Sequence, residues 1–140
     1  MSTLLLSLHP QHSQNILNGK KTIELRKNSP QHYKRQGITF PKFTQILMYE
    51  TKPTAAIVGK VTPVKILEQT CTEWHKFTSE LCLSVSEIEE YLGGYCGYGI
   101  KLKDPQKINL VTLPKMKELG INPPQGYRYL SDELVEQLLA

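Results

Sequence analysis

The run Gly19-Lys20-Lys21-Thr22-Ile23-Glu24-Leu25-Arg26 constrains this chain more than any other part of it. It places a helix-stopping glycine, two lysines, a glutamate and an arginine within one turn and one short strand. A strand buried on both faces has no room for so many charges beside Ile23 and Leu25. A half-buried strand does. The alternation of a strand from Thr22 puts Thr22, Glu24 and Arg26 on one face, and Ile23, Leu25 and Lys27 on the other. The apolar pair then enters the core while the charged set borders a cleft. Lys21 is out of phase by this count and joins them only if the chain turns or bulges between Gly19 and Thr22.

The flanking sequence gives that strand its setting. Leu4 to Leu8 alternates weakly and predicts a first strand. Pro10 suits the first turn of a helix, where its missing N–H goes unused. Gln11 to Asn18 continues that helix, with Ile16 and Leu17 toward the core and Gly19 as its stop. Residues 28–43, rich in Pro, Gln, Lys and Gly, predict a long loop or ragged connection of functional interest. Gln45 to Glu50 and Ala55 to Lys65 predict a hairpin, with Pro63 confining the second run to an edge or an interruption. Thr72 to Leu83 predicts a helix capped by Thr72, with Trp74, Phe77 and Leu81 on its apolar face. A second helix follows from Ser84 or Ser86 through Leu92, closed by Gly93-Gly94. Gly97 to Leu102 predicts a strand with Tyr98, Ile100 and Leu102 on one side, and Ile108 to Leu113 a further one. Ser131 to Ala140 reads as an amphipathic helix with Leu134, Val135, Leu138 and Leu139 buried. Strands and helices in no regular alternation indicate an α+β fold, a single domain over residues 1–140.

Composition narrows the functional classes. At 39% hydrophobic, 140 residues can enclose a core. No stretch approaches the roughly 20 apolar residues of a membrane span. Cys71, Cys82 and Cys96 form no CxxC pair, and His9, His12, His32 and His75 show no metal-ligand spacing. We therefore expect no disulfide framework, no metal and no cofactor. The cysteines read as small core residues, and a reducing cytoplasm suits them. The net charge of +4 is unevenly spread. Lys20, Lys21, Arg26, Lys27, Lys34, Arg35 and Lys42 face only Glu24 in the first third. Glu68, Glu73, Glu80, Glu87, Glu89 and Glu90 face only Lys76 later. One positive surface favouring phosphate-bearing ligands would follow, although lysines that merely solvate exposed strands give the same pattern.

Gly19, Lys21, Glu24 and Arg26 together fit the GxKxxExR signature of the ASCH family, which the chain resembles. The resemblance extends to Leu6-Ser7-Leu8-His9-Pro10, Ile16-Leu17-Asn18-Gly19, Ala56-Ile57-Val58-Gly59, Gly93-Gly94 through Gly97-Tyr98-Gly99-Ile100, and Pro123-Pro124-Gln125 before Tyr127-Arg128-Tyr129-Leu130. It spans nearly the whole chain. It implies a PUA-like fold, a small, partly closed β-barrel with peripheral helices and a cleft between them. Members are regarded as RNA- or nucleic-acid-binding modules, many of them stand-alone bacterial proteins. One subgroup removes the acetyl group from N4-acetylcytidine with a lysine and a threonine in a KxxT form of the motif. Lys21 matches that lysine, but Glu24 stands in the threonine's place, which removes the nucleophile proposed there.

The candidate ligand-binding residues are Lys21, Glu24, Arg26, Tyr49, Gln125, Tyr127 and Arg128. A carboxylate accepts hydrogen bonds, and a guanidinium forks onto phosphate or a base edge. An internal ion pair of Glu24 with Arg26 or Lys21, bracing the barrel mouth, is the competing account. Tyr49 offers a stacking face, Gln125 a base-edge reader and Arg128 a phosphate contact. Two functions lead, beside a third in which the positive face simply meets another protein. One is a module binding RNA or a nucleotide-like ligand. The other is a small hydrolase acting on an N4-acylated cytidine or on single-stranded RNA, with Lys21 as base or electrostatic stabiliser and Glu24 as proton handler. Ligand identity and oligomeric state are not encoded in any motif.

Overall fold

One sheet organises the chain, and the computed structural model describes residues 2–140 of it. In order come β1 (Ser2–Leu8), α1 (Pro10–Leu17), β2 (Ile23–Arg26), β3 (His32–Arg35), β4 (Ile38–Pro41), β5 (Phe43–Glu50) and β6 (Ala56–Gln69). Then follow α2 (Cys71–Trp74), a 3₁₀ turn (His75–Phe77), α3 (Thr78–Leu81), α4 (Val85–Leu92), β7 (Gly97–Thr112), α5 (Leu113–Glu118), β8 (Tyr127–Leu130) and α6 (Asp132–Leu139). The hydrogen-bonded path runs β2-β7-β6-β5-β1-β8, with β3 and β4 branching off beside β6. β1 and β5 are parallel and the other pairs antiparallel. The path leaves β2 and β8 as unjoined ends, so the barrel is partly closed. No helix among the described residues is long and apolar enough to cross a membrane.

The curvature comes from β6 and β7, the two longest strands. Their register shifts between Ile57 and Gly59, Lys60 and Thr62, and Pro63 and Lys65. Such bulges bend and twist a strand that would otherwise lie flat. Pro63 was expected to confine or interrupt this run. Instead β6 continues to Gln69 and sits between β5 and β7. A bulge tolerates the missing N–H that a regular ladder would not.

Three apolar clusters pack on and around the sheet. Leu4, Leu6 and Leu8 join Phe43, Ile46, Met48, Ile100 and Leu102 on one face. Leu5 points the other way, with Leu47, Ile57, Val111, Met116 and Leu138. The leucine run of β1 is therefore covered on both sides. Ile23 and Leu25 enter a third cluster with Trp74, Leu81, Ile88 and Leu92, which fastens the helices from α2 to α4 over β2.

Several expectations change in detail. Residues 28–43 contain a hairpin, β3–β4, turning through Gln36 and Gly37 at φ of 52° and 79°. Two positive φ angles are what a type I′ turn requires. The helix predicted from Thr72 to Leu83 is broken into short pieces and capped by Thr70, whose side chain accepts from the Glu73 amide. Ser84 caps α4, and Ile108 to Thr112 extend β7 instead of forming a separate strand. Cys71 is half-buried and packs against the Trp74 cluster, Cys82 is half-buried at the end of α3 and Cys96 is exposed, so the cysteines are not the enclosed core residues expected. On α6, Val135 and Leu138 are buried and Leu134 packs partly, but Leu139 is 39% exposed.

Candidate functional site

The backbone after α1 resolves the phase problem at Lys21. Gly19, at φ +83°, ends the helix, and the Lys21 amide then donates to the Asn15 carbonyl at 2.8 Å. The Thr22 amide donates to the Glu80 carbonyl at 2.9 Å, pinning the turn to α3. This fold-back brings Lys21 around beside Glu24. The Lys21 Nζ lies 3.6 Å from Glu24 Oε1 and donates to the Leu81 carbonyl. Glu24 Oε2 in turn accepts from Arg26 Nε at 2.8 Å and from Nη2 at 2.7 Å.

These groups border a cleft of about 600 Å³, within the range of small-molecule sites. Its lining combines distant segments. β1 and α1 contribute Ser7, Leu8, His9 and His12; β2 and its entry turn contribute Lys21, Glu24, Leu25 and Arg26. α4 supplies Glu87, Glu90 and Tyr91, while Thr51, Leu83 and Gln125 complete the wall. Arg26 Nη2 crosses the open side of the barrel to the Ser7 carbonyl at 3.1 Å. The charged residues pair with one another, as the competing account expected, and they also face the hollow.

The charge in this hollow is mixed. Lys21 and Arg26 meet Glu24, Glu87 and Glu90. The acid-free stretch between Glu24 and Glu50, with Lys27, Lys34, Arg35 and Lys42, leads away from it. Lys21 is only 2% exposed, and burial lowers its pKa against the attraction of Glu24. Burial also lowers the His12 pKa, and Lys21 reinforces that, while Glu24 and Glu87 act in the opposite sense. The buried Nδ1 of His12 has no partner among the described residues. Tyr91 is exposed at its rim but partly desolvated by its neighbours, which raises its phenol pKa, and Lys27 Nζ sits 5.1 Å from its ring centre.

Of the residues singled out from the sequence, Lys21, Glu24, Arg26 and Gln125 lie together on the cleft wall. Tyr49, Tyr127 and Arg128 are outside that lining. Tyr49 is 6% exposed, packed with Leu5, Leu47 and Ile57 on the far face of the sheet, so it has no stacking surface to offer. Tyr127 packs on the Leu4–Leu6–Leu8 face, and its hydroxyl donates to the Ser29 carbonyl at 3.4 Å. Arg128 sits opposite Leu5 of β1, whereas Tyr127 sits opposite Leu6, so strand alternation aims them to opposite faces. His9, His12, Glu87 and Tyr91 were not singled out. The one legible hint was that His12 precedes the core residue Ile16 by one helical turn.

Beside the cleft, Glu50 holds α1 in place. Its carboxylate, buried at 4% exposure, accepts from Ser13 Oγ, from Gln14 Nε2 at 2.8 Å and from Thr54 Oγ1. Burial alone would raise its pKa, but the three hydrogen bonds outweigh this and lower it. A fixed α1 fixes His9 and His12.

Comparison with known proteins agrees with this architecture. The ASCH domain family model matches residues 6–112. An ASCH domain-containing ribonuclease of Zymomonas mobilis subsp. mobilis is 28% identical over 141 residues, covering 97% of this chain and 89% of the relative. The crystal structure of ASCH from Zymomonas mobilis superposes with a TM-score of 0.84 at 27% identity, covering 97% of this chain and 92% of that one. A serine-to-alanine mutant of the Zymomonas protein gives a TM-score of 0.82 at 26% identity, with 97% and 93% coverage. The N-terminal domain of Staphylothermus marinus McrB shares the fold at a TM-score of 0.58 and 11% identity. With its family signature on the wall of the cleft and the family model matching most of its length, this chain belongs to the ASCH domain family.

Proposed function

We propose that the protein binds RNA, or a nucleotide-like ligand, in the cleft walled by Lys21, Glu24, Arg26 and Gln125. One observation carries this reading. Arg26 is held from both sides, by Glu24 and by the Ser7 carbonyl, yet its Nη1 has no partner among the described residues. A guanidinium fixed in this way keeps two N–H donors for a phosphate or a base edge, with little entropy left to lose on binding. Glu24, Glu87 and Glu90 supply acceptors for the amino edge of a base, and the acid-free segment after Arg26 attracts the backbone.

Binding of a labelled single-stranded RNA, followed by fluorescence anisotropy, tests this. Affinity should fall as salt rises, because each neutralised phosphate releases counterions. Arg26→Ala and Lys21→Ala should each weaken binding about tenfold or more relative to Lys103→Ala. Binding insensitive to salt, or equal loss in all three variants, rejects the reading.

The hydrolase reading is favoured by Lys21 itself. A buried lysine with a lowered pKa gives up its proton more readily and can serve as base or nucleophile. The Zymomonas relative named a ribonuclease adds weight to RNA as substrate. Incubation with labelled RNA and, separately, with N4-acetylcytidine decides the matter. Product formed by the parent and lost in Lys21→Arg and Glu24→Gln supports catalysis; no product from the parent leaves a binder.

A further inference from the structure

The β3–β4 hairpin lies at the margin of the sheet, joined to it through β4 and β6, and carries an exposed aromatic face that neither the core nor the cleft uses. β3 is exposed along its whole length and pairs only with β4. β4 meets the rest of the sheet at a single register pair, Thr39 with Ile66. An isolated two-stranded hairpin is marginal in water, so this arm needs support. The support comes from its base, where Tyr129 Oη accepts from the Gln31 amide at 2.6 Å and Tyr127 Oη donates to the Ser29 carbonyl. It comes also from within. Tyr33 stacks on Phe40 with ring centres 5.6 Å apart and planes 28° from parallel.

Backed by Phe40, Tyr33 is still 47% exposed, and Ile38 beside the turn is 45% exposed. Arg35 shares the Tyr33 face of β3, Lys34 projects from the other face of the same exposed strand, and Lys27 and Lys42 lie near the base of the arm. No acid interrupts the chain from Leu25 to Tyr49. An aromatic face backed by Phe40, with Arg35 on the same side and Lys34 on the other side of an exposed strand, matches the two requirements of a single-stranded polynucleotide, base stacking and phosphate neutralisation. A duplex keeps its base faces stacked inside the helix, out of reach of Tyr33. An acidic peptide would satisfy the cations but gives the aromatic face no partner.

The arm and the cleft are joined at one corner. Six residues lead from Arg26 to His32, a reach of at most about 20 Å. Gln125, on the cleft wall, lies two residues before Tyr127, which holds the base of the arm. We propose that the β3–β4 hairpin is a landing arm for single-stranded RNA, with Tyr33 stacking a base, Arg35 on the same face holding a phosphate, and Lys34 meeting the backbone where it passes round the exposed edge of β3, while one nucleotide enters the cleft. This rests on the nucleotide reading of the cleft and extends it from a mononucleotide site to an oligonucleotide track.

The test compares a 12-nucleotide single-stranded RNA with cytidine monophosphate on the full chain. Tyr33→Ala should weaken oligonucleotide binding about fivefold or more, the low end of base–aromatic stacking, and Tyr33→Phe should retain it. The double variant Lys34→Ala/Arg35→Ala should reduce the slope of log K against log salt by about 1.4. Neither should change mononucleotide affinity, which Arg26→Ala should lower together with oligonucleotide affinity. Arm variants that bind the oligonucleotide as the parent does, while Arg26→Ala weakens both ligands, overturn the arm and leave the cleft. Loss in the arm variants, with no effect of Arg26→Ala on either ligand, overturns the cleft instead. Should Tyr33→Ala fail to fold, the exposed Lys34 and Arg35 pair carries the decision.

Discussion

Arg26 grips Glu24 through two donors on a single oxygen, Nε at 2.8 Å and Nη2 at 2.7 Å from Oε2, and Nη2 reaches on to the Ser7 carbonyl at 3.1 Å. β2 lies at one end of the sheet path and β1 is the penultimate strand at the other end. No ladder joins them. One guanidinium therefore performs two tasks, closing the barrel mouth and presenting a donor edge to the cleft.

Removing that guanidinium should cost stability as well as affinity. Arg26→Ala leaves Glu24, 6% exposed, with only Lys21 to balance its charge. Breaking one partner of a buried pair is expensive, and we expect a loss of about 2–4 kcal/mol in urea denaturation. Arg26→Lys should recover part of the stability but not the bidentate geometry. Equal midpoints for the parent and Arg26→Ala would show that the pair does not brace the mouth.

Lys21 sets a pH dependence of definite sign. Its folded pKa is lowered, first by burial, from the usual 10.5. Between the lowered value and 10.5 the unfolded chain binds more protons than the folded one, so stability rises with pH across that window. Lys21→Met should abolish this rise. Urea midpoints of parent and variant, followed from neutral pH upward, check it; a constant difference between them would contradict the lowered value.

The Glu50 cluster acts at the opposite end of the scale. The folded pKa of Glu50 is below its usual 4.5, so the stability from its hydrogen bonds is complete above 4.5 and is lost as pH falls through the folded value. Ser13→Ala should cost about 1.5–3 kcal/mol near neutrality, as expected for a bond to a charged acceptor, and should shrink the acid-side loss. Thermal melts between neutral and acidic pH measure both. Because this cluster fixes α1, the same variant should also loosen ligand binding.

Close packing makes a fourth prediction. A Cβ on Gly99 would fall 2.2 Å from the Trp74 ring and 2.8 Å from Ile23 Cγ2. Trp74 cannot yield easily, since it is fully buried and its Nε1 donates to the Gly97 carbonyl at 3.0 Å. Gly99→Ala should destabilise by about 1–3 kcal/mol and change the tryptophan fluorescence. An unaltered spectrum and midpoint would mean that this wall has room to give.

Whatever rests on neighbours along the chain was legible in the order of residues alone. Ile23 and Leu25 face the core and Glu24 and Arg26 the cleft because a strand alternates, and α1 begins at Pro10 and stops before Gly19 through local backbone preference. The hairpin at 28–43 was missed because β3 buries nothing and so carries no apolar alternation to read. Pro63 misled because a bulge, which only the pairing of β6 with β7 creates, absorbs its missing donor. Tertiary structure alone decided the membership of the cleft. Strand register turned Arg128 to the face opposite Tyr127, packing buried Tyr49, and the docking of α1 against β1, β5 and β7 and of α4 over β2 brought His12, Glu87 and Tyr91 to the same cleft as Lys21. Periodicity tells which side of an element faces inward; it does not tell which other element will be there, because that depends on burial summed over contacts far apart in the chain.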